Sequence, residues 1–381
     1  MMRPIYFDFC ATTPVHPTVR EAMLPALAAD FGNPSSMHWA GQAAARLKEQ
    51  ARTKVAQALG CSPSEIVFTS GATEADNLAL MGVMHRHRPG EAHLITTSIE
   101  HHAILHTAQA LEREGYAVTY LPVDGTGLVD PKNVLKAIRS ETVLISIMLV
   151  NNEVGSIQPV SEIGALAHER NILMHTDAVQ GLCLPNVSID QLNADLLSLS
   201  AHKIYGPKGI GALYVSQWIE LMPLMFGGAQ ENTLRPGTEN MAGILGLAAA
   251  CELVQAHKTE QHRHLTELRH RMISGLRQAV PGVVINGPEQ AVAPHVLSAS
   301  FPQADGEALL FRLSSEGFAV SMGSACTSKD IEPSHVLRAM RLPVSQIEGT
   351  LRISFGFPTQ ESEIDAFLAI LPAVYQRSRI A

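Results

Sequence analysis

Between about Glu65 and Val215, short β-rich apolar runs alternate with segments of helical spacing. A parallel strand cannot turn straight back beside its neighbour. It needs a long crossover, and an amphipathic helix is the usual one, so the alternation predicts a mostly parallel sheet with helices on its faces. The fold class is therefore α/β. Residues 66–70 predict a strand, Gly71 a turn, and residues 72–85 a helix with apolar positions at helical spacing. Further strands are expected at residues 93–97, 118–122, 143–150, 172–176, 196–200 and 210–215.

After Gly237 the texture changes to one long helical pattern from Asn240 to about Val280. Beyond it, candidate strands at 295–301 and 351–354 with helices between them predict a smaller α+β unit. A chain of 381 residues exceeds one small core, so two domains are expected: a large one over residues 13–255, and a small one from residues 1–12 and 256–381. Hydrophobic residues make up 46%, but the apolar runs are short, and no membrane span is expected. Residues 1–9 lack the charged and apolar regions of a signal peptide and read as mature structure. The net charge of −8, with Lys and Arg scattered, offers no basic stripe for a phosphate backbone, which argues against nucleic acid as a direct partner. Five cysteines, widely spaced and without a Cys-x-x-Cys pair, predict neither a disulfide framework nor a zinc site, and a reducing cytoplasm fits them best.

Phe68-Thr69-Ser70-Gly71-Ala72-Thr73-Glu74 puts small residues and a hydroxyl where a helix begins behind a sheet. Free amides and the helix dipole favour a phosphate there, although ordinary capping by Thr73 is the plainer reading of the segment alone. It lacks the Gly-Lys-Ser/Thr ending of a nucleotide-binding loop. Asp177 stands where a buried strand leaves the sheet, and such carboxyl edges bind ligands. A carboxylate there suits a protonated pyridine nitrogen. Lys203 ends another apolar strand and suits a Schiff base with an aldehyde cofactor, whereas Lys208 lies within the Gly/Pro turn that follows. A lone lysine is most often a solvated charge. The conjunction of phosphate loop, acid and lysine, in that order, argues otherwise.

Cys326 lies in Ser321-Met322-Gly323-Ser324-Ala325-Cys326-Thr327-Ser328-Lys329-Asp330, which has no apolar periodicity and predicts a loop with a reactive thiol. Cys61, Cys183 and Cys251 fit inert thiols, as does Cys10 less clearly, because it sits in a polar turn. Arg352 has the geometry to grip a carboxylate with two hydrogen bonds, a surface ion pair being the alternative. The pairs His85/His87 and His262/His264 do not share a helix face, so no metal site is expected. His101, just past the strand at 93–97, suits ring stacking or proton transfer near neutral pH.

With these residues together, the chain resembles the group I cysteine desulfurases of the NifS/IscS type, in the fold type I pyridoxal-phosphate superfamily. The resemblance runs over nearly the whole length, through Ala11-Thr12-Thr13-Pro14, Phe31-Gly32-Asn33-Pro34-Ser35, Phe68 to Glu74, Glu100-His101, Val150 to Gly155, Asp177 to Gln180, Ser200 to Gly209, Arg235 to Asn240, Gly323 to Cys326, and Arg352. It implies pyridoxal 5'-phosphate joined to Lys203, paired at its ring nitrogen with Asp177, hydrogen-bonded by Gln180 and stacked on His101. It implies a phosphate held by Ala72, Thr73, Ser200 and His202, with Thr238 coming from the partner subunit of a homodimer. L-Cysteine would be bound through Arg352 and Asn152 with help from Asn33. Cys326 would take the sulfur as a persulfide for an acceptor protein, an iron-sulfur scaffold or a thiolation enzyme. Ala229, Asn232 and Met322 depart from the family pattern, and the chain ends at Ala381, short of the longer tail of housekeeping members. A selenocysteine lyase, another small-amino-acid enzyme of this fold and a non-catalytic adaptor remain open alternatives.

Overall fold

The computed structural model describes residues 4–323 and 333–380. The chain opens with a short strand, β1 (Ile5–Tyr6), then two helices, α1 (Pro17–Leu27) and α2 (Trp39–Leu59). Strands and helices then alternate: β2 (Ile66–Thr69), α3 (Ala72–Met84), β3 (His93–Thr97), α4 (His102–Arg113), β4 (Ala117–Leu121), α5 (Pro131–Ala137), β5 (Thr142–Ser146), α6 (Val160–His168), β6 (Leu173–Asp177), α7 (Ile189–Leu192), β7 (Leu196–Ser200) and β8 (Gly211–Val215). One 39-residue helix, α8 (Met241–Ala279), leads to the last part of the chain. That part holds β9 (Val284–Asn286), β10 (Val296–Ser300), α9 (Gly306–Ser315), β11 (Phe318–Ala319), α10 (His335–Ala339), α11 (Val344–Glu348), β12 (Thr350–Ser354) and α12 (Glu361–Arg377).

Among the described residues the main sheet has seven strands in the order β2-β8-β7-β6-β5-β3-β4. Pairing is parallel from β7 through β6, β5 and β3 to β4, as the alternation predicts. β8 is the exception, antiparallel to both β7 and β2. Only residues 201–210 join β7 to β8, too few for a crossover helix, so the chain returns directly. Every residue of β2, β3, β7 and β8 is buried, as expected of strands covered on both faces. The strand expected over 143–150 is shorter: β5 ends at Ser146. Beyond it Ile147 and Leu149 still donate to the His175 and Asp177 carbonyls, so the backbone stays hydrogen-bonded to β6 past the last strand residue.

Helix α2 starts with His38 accepting from the Gly41 amide and stops at Gly60, which is left-handed (φ 73). Helices α1 and α2 both pack on α8. Helix α8 is long enough to belong to two apolar clusters: Met241 to Val254 join the cluster over the main sheet, while Leu265 to Leu276 join the one around Phe7, Phe301, Phe355 and Phe367. β1 pairs in parallel with β11, which ties the start of the chain to its last third.

Candidate active site

Strands β3, β6 and β7 run parallel, so the turns after their carboxyl ends open on one edge of the sheet. At that edge stand His101 after β3, Asp177 at the end of β6, and Ser200 and Lys203 at the end of β7. Because β2 is antiparallel to β8, and β8 to β7, the start of α3 faces the same edge.

The chain turns through Ala201–Lys203 in one 3-10 turn, which aims Lys203 back over the sheet. Its Nζ donates to the Cys10 carbonyl at 2.5 Å and the Ala11 carbonyl at 3.0 Å. Burial lowers the Lys203 pKa; Arg352 adds to this, while Cys10, Asp177 and Asp8 oppose it. Lys208 is exposed in the following turn. Asp177 is 6% exposed, and its Oδ1 accepts from the Val179 amide at 2.9 Å. Burial raises its pKa to about 6, against the pull of Val179 and Lys203. Gln180 Nε2 donates to the Cys10 carbonyl at 3.0 Å, and its Oε1 lies 3.3 Å from His295 Nε2.

His101 caps α4, with Nδ1 accepting from the Ala103 amide at 3.1 Å. Its ring is open to the cleft, yet partial desolvation and then Lys203 push the pKa down to about 4, so it is neutral at pH 7. His202 contacts Thr12 Oγ1 through Nδ1 at 3.1 Å and is lowered to about 4, by burial and then Lys203. Helix α3 has Gly71 at its N-cap and no side chain capping it. Thr73 is exposed and does not cap it, because Gly71 already holds that position. A Cβ built on Gly71 would lie 4.0 Å from the Ser200 hydroxyl, which puts Ser200 beside the free amides of Ala72 and Thr73. Thr238 is exposed on a loop at the same end, where Gly237 lines a cleft with Ser70.

Arg352 is not the surface ion pair that the sequence leaves open. It is 4% exposed in the centre of β12. Nη2 donates to Asp8 at 2.7 Å, and Nη1 to the carbonyls of Asn152 at 3.1 Å and Gly323 at 3.3 Å. Its Nε is buried without a partner among the described residues. Asn33 is exposed and accepts from the Ser35 amide in a local turn. Cys326 lies outside the described residues. Glu153 Oε2 accepts from the Ser334 hydroxyl at 2.5 Å and faces Gly323, which has left-handed backbone (φ 96) and where an added Cβ would meet that oxygen at 2.7 Å. Cys10 and Cys251 are buried and Cys61 and Cys183 partly so; all four are free thiols with raised pKa values, about 12 for the last three. His85 pairs with Glu114, and His264 with the Thr359 carbonyl.

Three participants were not read from the sequence. Asp8 meets Arg352 across 344 residues of chain. Cys10 and Ala11 meet Lys203 through backbone carbonyls, which carry no residue signature. The arrangement suits a group with an aldehyde, a basic ring nitrogen and a phosphate, with Lys203, Asp177 and the α3 start as its three holds.

Comparison with known proteins agrees. The family model for class-V aminotransferases matches residues 5–367. A curated relative from Dictyoglomus turgidum, "Cysteine desulfurase IscS", is 44% identical over 379 residues, covering 100% of this chain and 96% of its own. Among solved structures, a "NifS-like protein" aligns with a TM-score of 0.93 at 39% identity, over 98% of this chain and 100% of that one. Another, "SspA in complex with cysteine", aligns with a TM-score of 0.83 at 40% identity, over 92% and 98%.

Proposed function

We infer that this chain, which belongs to the aminotransferase class-V family, is a pyridoxal-phosphate-dependent cysteine desulfurase that turns L-cysteine into L-alanine. The observation that carries this reading is the meeting of Lys203, Asp177 and the uncapped start of α3 at one sheet edge. The fit is chemical. Lys203, whose proton affinity burial lowers, suits covalent capture of the aldehyde; Asp177 suits the ring nitrogen; Ala72, Thr73, Ser200 and His202 suit the phosphate. Pyridoxal phosphate, when bound, supplies an electron sink for the pair released at the substrate's Cα.

The chain's own residues do the rest. We assign the substrate carboxylate to Arg352, which Asp8 holds and whose Nε has no partner among the described residues, and assign Asn152 and Asn33 to the same task. His101, neutral at pH 7, accepts and returns a proton. Gln180 would hydrogen-bond the cofactor's phenolic oxygen. The Cys326 thiolate attacks the cysteine Sγ: an S–S bond forms, the Cβ–S bond breaks, and its electron pair stays with the carbon framework, which gains a proton and leaves as L-alanine. L-Cysteine plus the Cys326 thiol thus give L-alanine plus a Cys326 persulfide. We further assign the sulfur to an acceptor protein, an iron-sulfur scaffold or a thiolation enzyme, and Thr238 to the partner's site in a homodimer. The division into residues 13–255 and residues 1–12 with 256–381 belongs to the same reading, supported by the two apolar clusters that share α8. No helix among the described residues is long and apolar enough to cross a membrane. The free thiols support a reducing cytoplasm.

The test is a product assay with L-cysteine and a reductant. Alanine and sulfide are expected in equal amounts, and Cys326→Ala is expected to abolish sulfide release while the cofactor's visible absorbance stays. Full turnover by Cys326→Ala would overturn the persulfide role.

A further inference from the structure

Near enough to Asp177 to feel its charge lies a second carboxyl that the reaction does not use. Asp76, on α3, is 1% exposed, and neither of its oxygens makes a hydrogen bond of good geometry among the described residues, although the Ser198 hydroxyl is near enough to act on it. Buried polar groups of this kind are rare and need a reason. Residues two apart on a strand share a face, so His175 and Asp177 point the same way from β6. On that face Asp76 Oδ1 stands 3.7 Å from His175 Nε2. His175 is itself fully buried: its Nδ1 lies 2.8 Å from the Ser146 hydroxyl, and its Nε2 lies 3.0 Å from the Ser198 hydroxyl.

His175 cannot serve as a counter-ion. Burial drops its pKa to about 3, so the ring is neutral. The other ionisable groups acting on Asp76 are Asp177 and Glu100, both acids. An ionised Asp76 would be an uncompensated charge in a dry interior beside another carboxylate, the costliest state open to it. Burial, then Asp177, raises its proton affinity well above the ordinary carboxylate range, with Glu100 adding to this and Ser198 opposing it in part.

We propose that Asp76 carries its proton at neutral pH and is a positioning residue: with Ser146, His175 and Ser198 it forms an uncharged polar bed that leaves Asp177 the only anion facing the cofactor's ring nitrogen. This rests on the desulfurase reading for its role, though not for its protonation. A second negative charge near Asp177 would raise the proton affinity of Asp177, and a protonated Asp177 no longer holds a proton on the ring nitrogen.

Asp76→Asn is the neutral isostere. Urea unfolding of the full chain without cofactor is compared for native and variant protein between about pH 5 and pH 8. A carboxyl whose folded pKa is raised lends its stability fully below its unfolded pKa and loses it as pH climbs toward the folded value. The unfolding constant of the native protein relative to Asp76→Asn is therefore expected to rise about tenfold per pH unit, since Glu100 and Asp177 are common to both chains. A ratio that is flat or falls with pH means an ionised Asp76 and overturns the proposal. In the cofactor-loaded protein, the pH midpoint of the visible absorbance is expected to be the same in both chains; a shifted midpoint overturns it as well. If Asp76→Asn does not fold, Glu100→Gln serves. A protonated-carboxyl infrared band is expected to remain in it at pH 7, and the lack of one overturns the proposal. Failure of sulfide release would sink the desulfurase reading while leaving the pH drift in place, so the two failures are distinguishable.

Discussion

Lys203 and Arg352 show how much a charged side chain depends on what surrounds it. Both are cations drawn into the protein, Lys203 to two carbonyls and Arg352 to one carboxylate and two carbonyls. Removing the amine is expected to be final: Lys203→Ala loses the cofactor's covalent attachment, and alanine release from L-cysteine falls to background, read by visible absorbance and a product assay. Removing Asp8 is milder. Asp8→Ala leaves a buried Arg352 nitrogen unpaired and its fork free to tilt, and a charged hydrogen bond is worth about 1.5–3 kcal/mol. The KM for L-cysteine is expected to rise at least about tenfold with a smaller change in kcat, measured by steady-state alanine formation. Lys203 stood out in the sequence as a candidate because it ends an apolar strand just before a turn, whereas Arg352, in the centre of β12, was left open between a carboxylate grip and a surface ion pair. Asp8 was not legible, since nothing local announces a partner 344 residues away.

The loop before α8 shows elements holding one another. Glu231, Asn232 and Thr233 are consecutive left-handed residues (φ 44, 54 and 68), an arrangement costing roughly 1–3 kcal/mol at each position. A buried fork holds it down: Arg52 of α2 donates to Glu231 at 2.6 and 2.8 Å, stacks over Phe68 at 4.7 Å, and Glu231 also accepts from the Phe68 amide at 2.8 Å. The fork joins α2, β2 and the loop that leads to Thr238. Arg52→Met is expected to cost about 3–5 kcal/mol in urea unfolding, because it leaves Glu231 buried and unpaired. Asn232, one of the departures from the family pattern, adopts left-handed backbone more readily than most residues. Helices α1 and α2 were not read from the sequence, although His38 and Gly60 mark the ends of α2 as capping residues do.

Across the molecule, buried titratable groups set how stability follows pH. Glu100 is fully buried, accepting from Thr97 and the Met148 amide, and burial raises its pKa to about 8. The folded chain therefore keeps a proton that the unfolded chain releases, and stability falls as pH rises toward that value. Between about pH 6.5 and pH 8 the loss from Glu100 alone is expected to be about 2 kcal/mol, and Glu100→Gln is expected to remove it, measured by urea unfolding at each pH. The buried histidines do not reverse this. His93, His175 and His295 have pKa values pushed down to about 4, 3 and 4, so their loss of stability comes on acidification, below about pH 6.5.

Class, strand positions and the catalytic candidates were readable along the chain because each rests on local chemistry: alternation for the sheet, a small-residue turn for the phosphate, and an acid and a lysine at strand ends. The antiparallel return of β8, the union of β1 with β11, the Asp8–Arg352 pair and the neutral bed of Asp76 and His175 were not readable. Each depends on groups far apart in sequence sharing a dry interior. Desolvation there decides which carboxyl keeps its proton, and no local pattern carries that information.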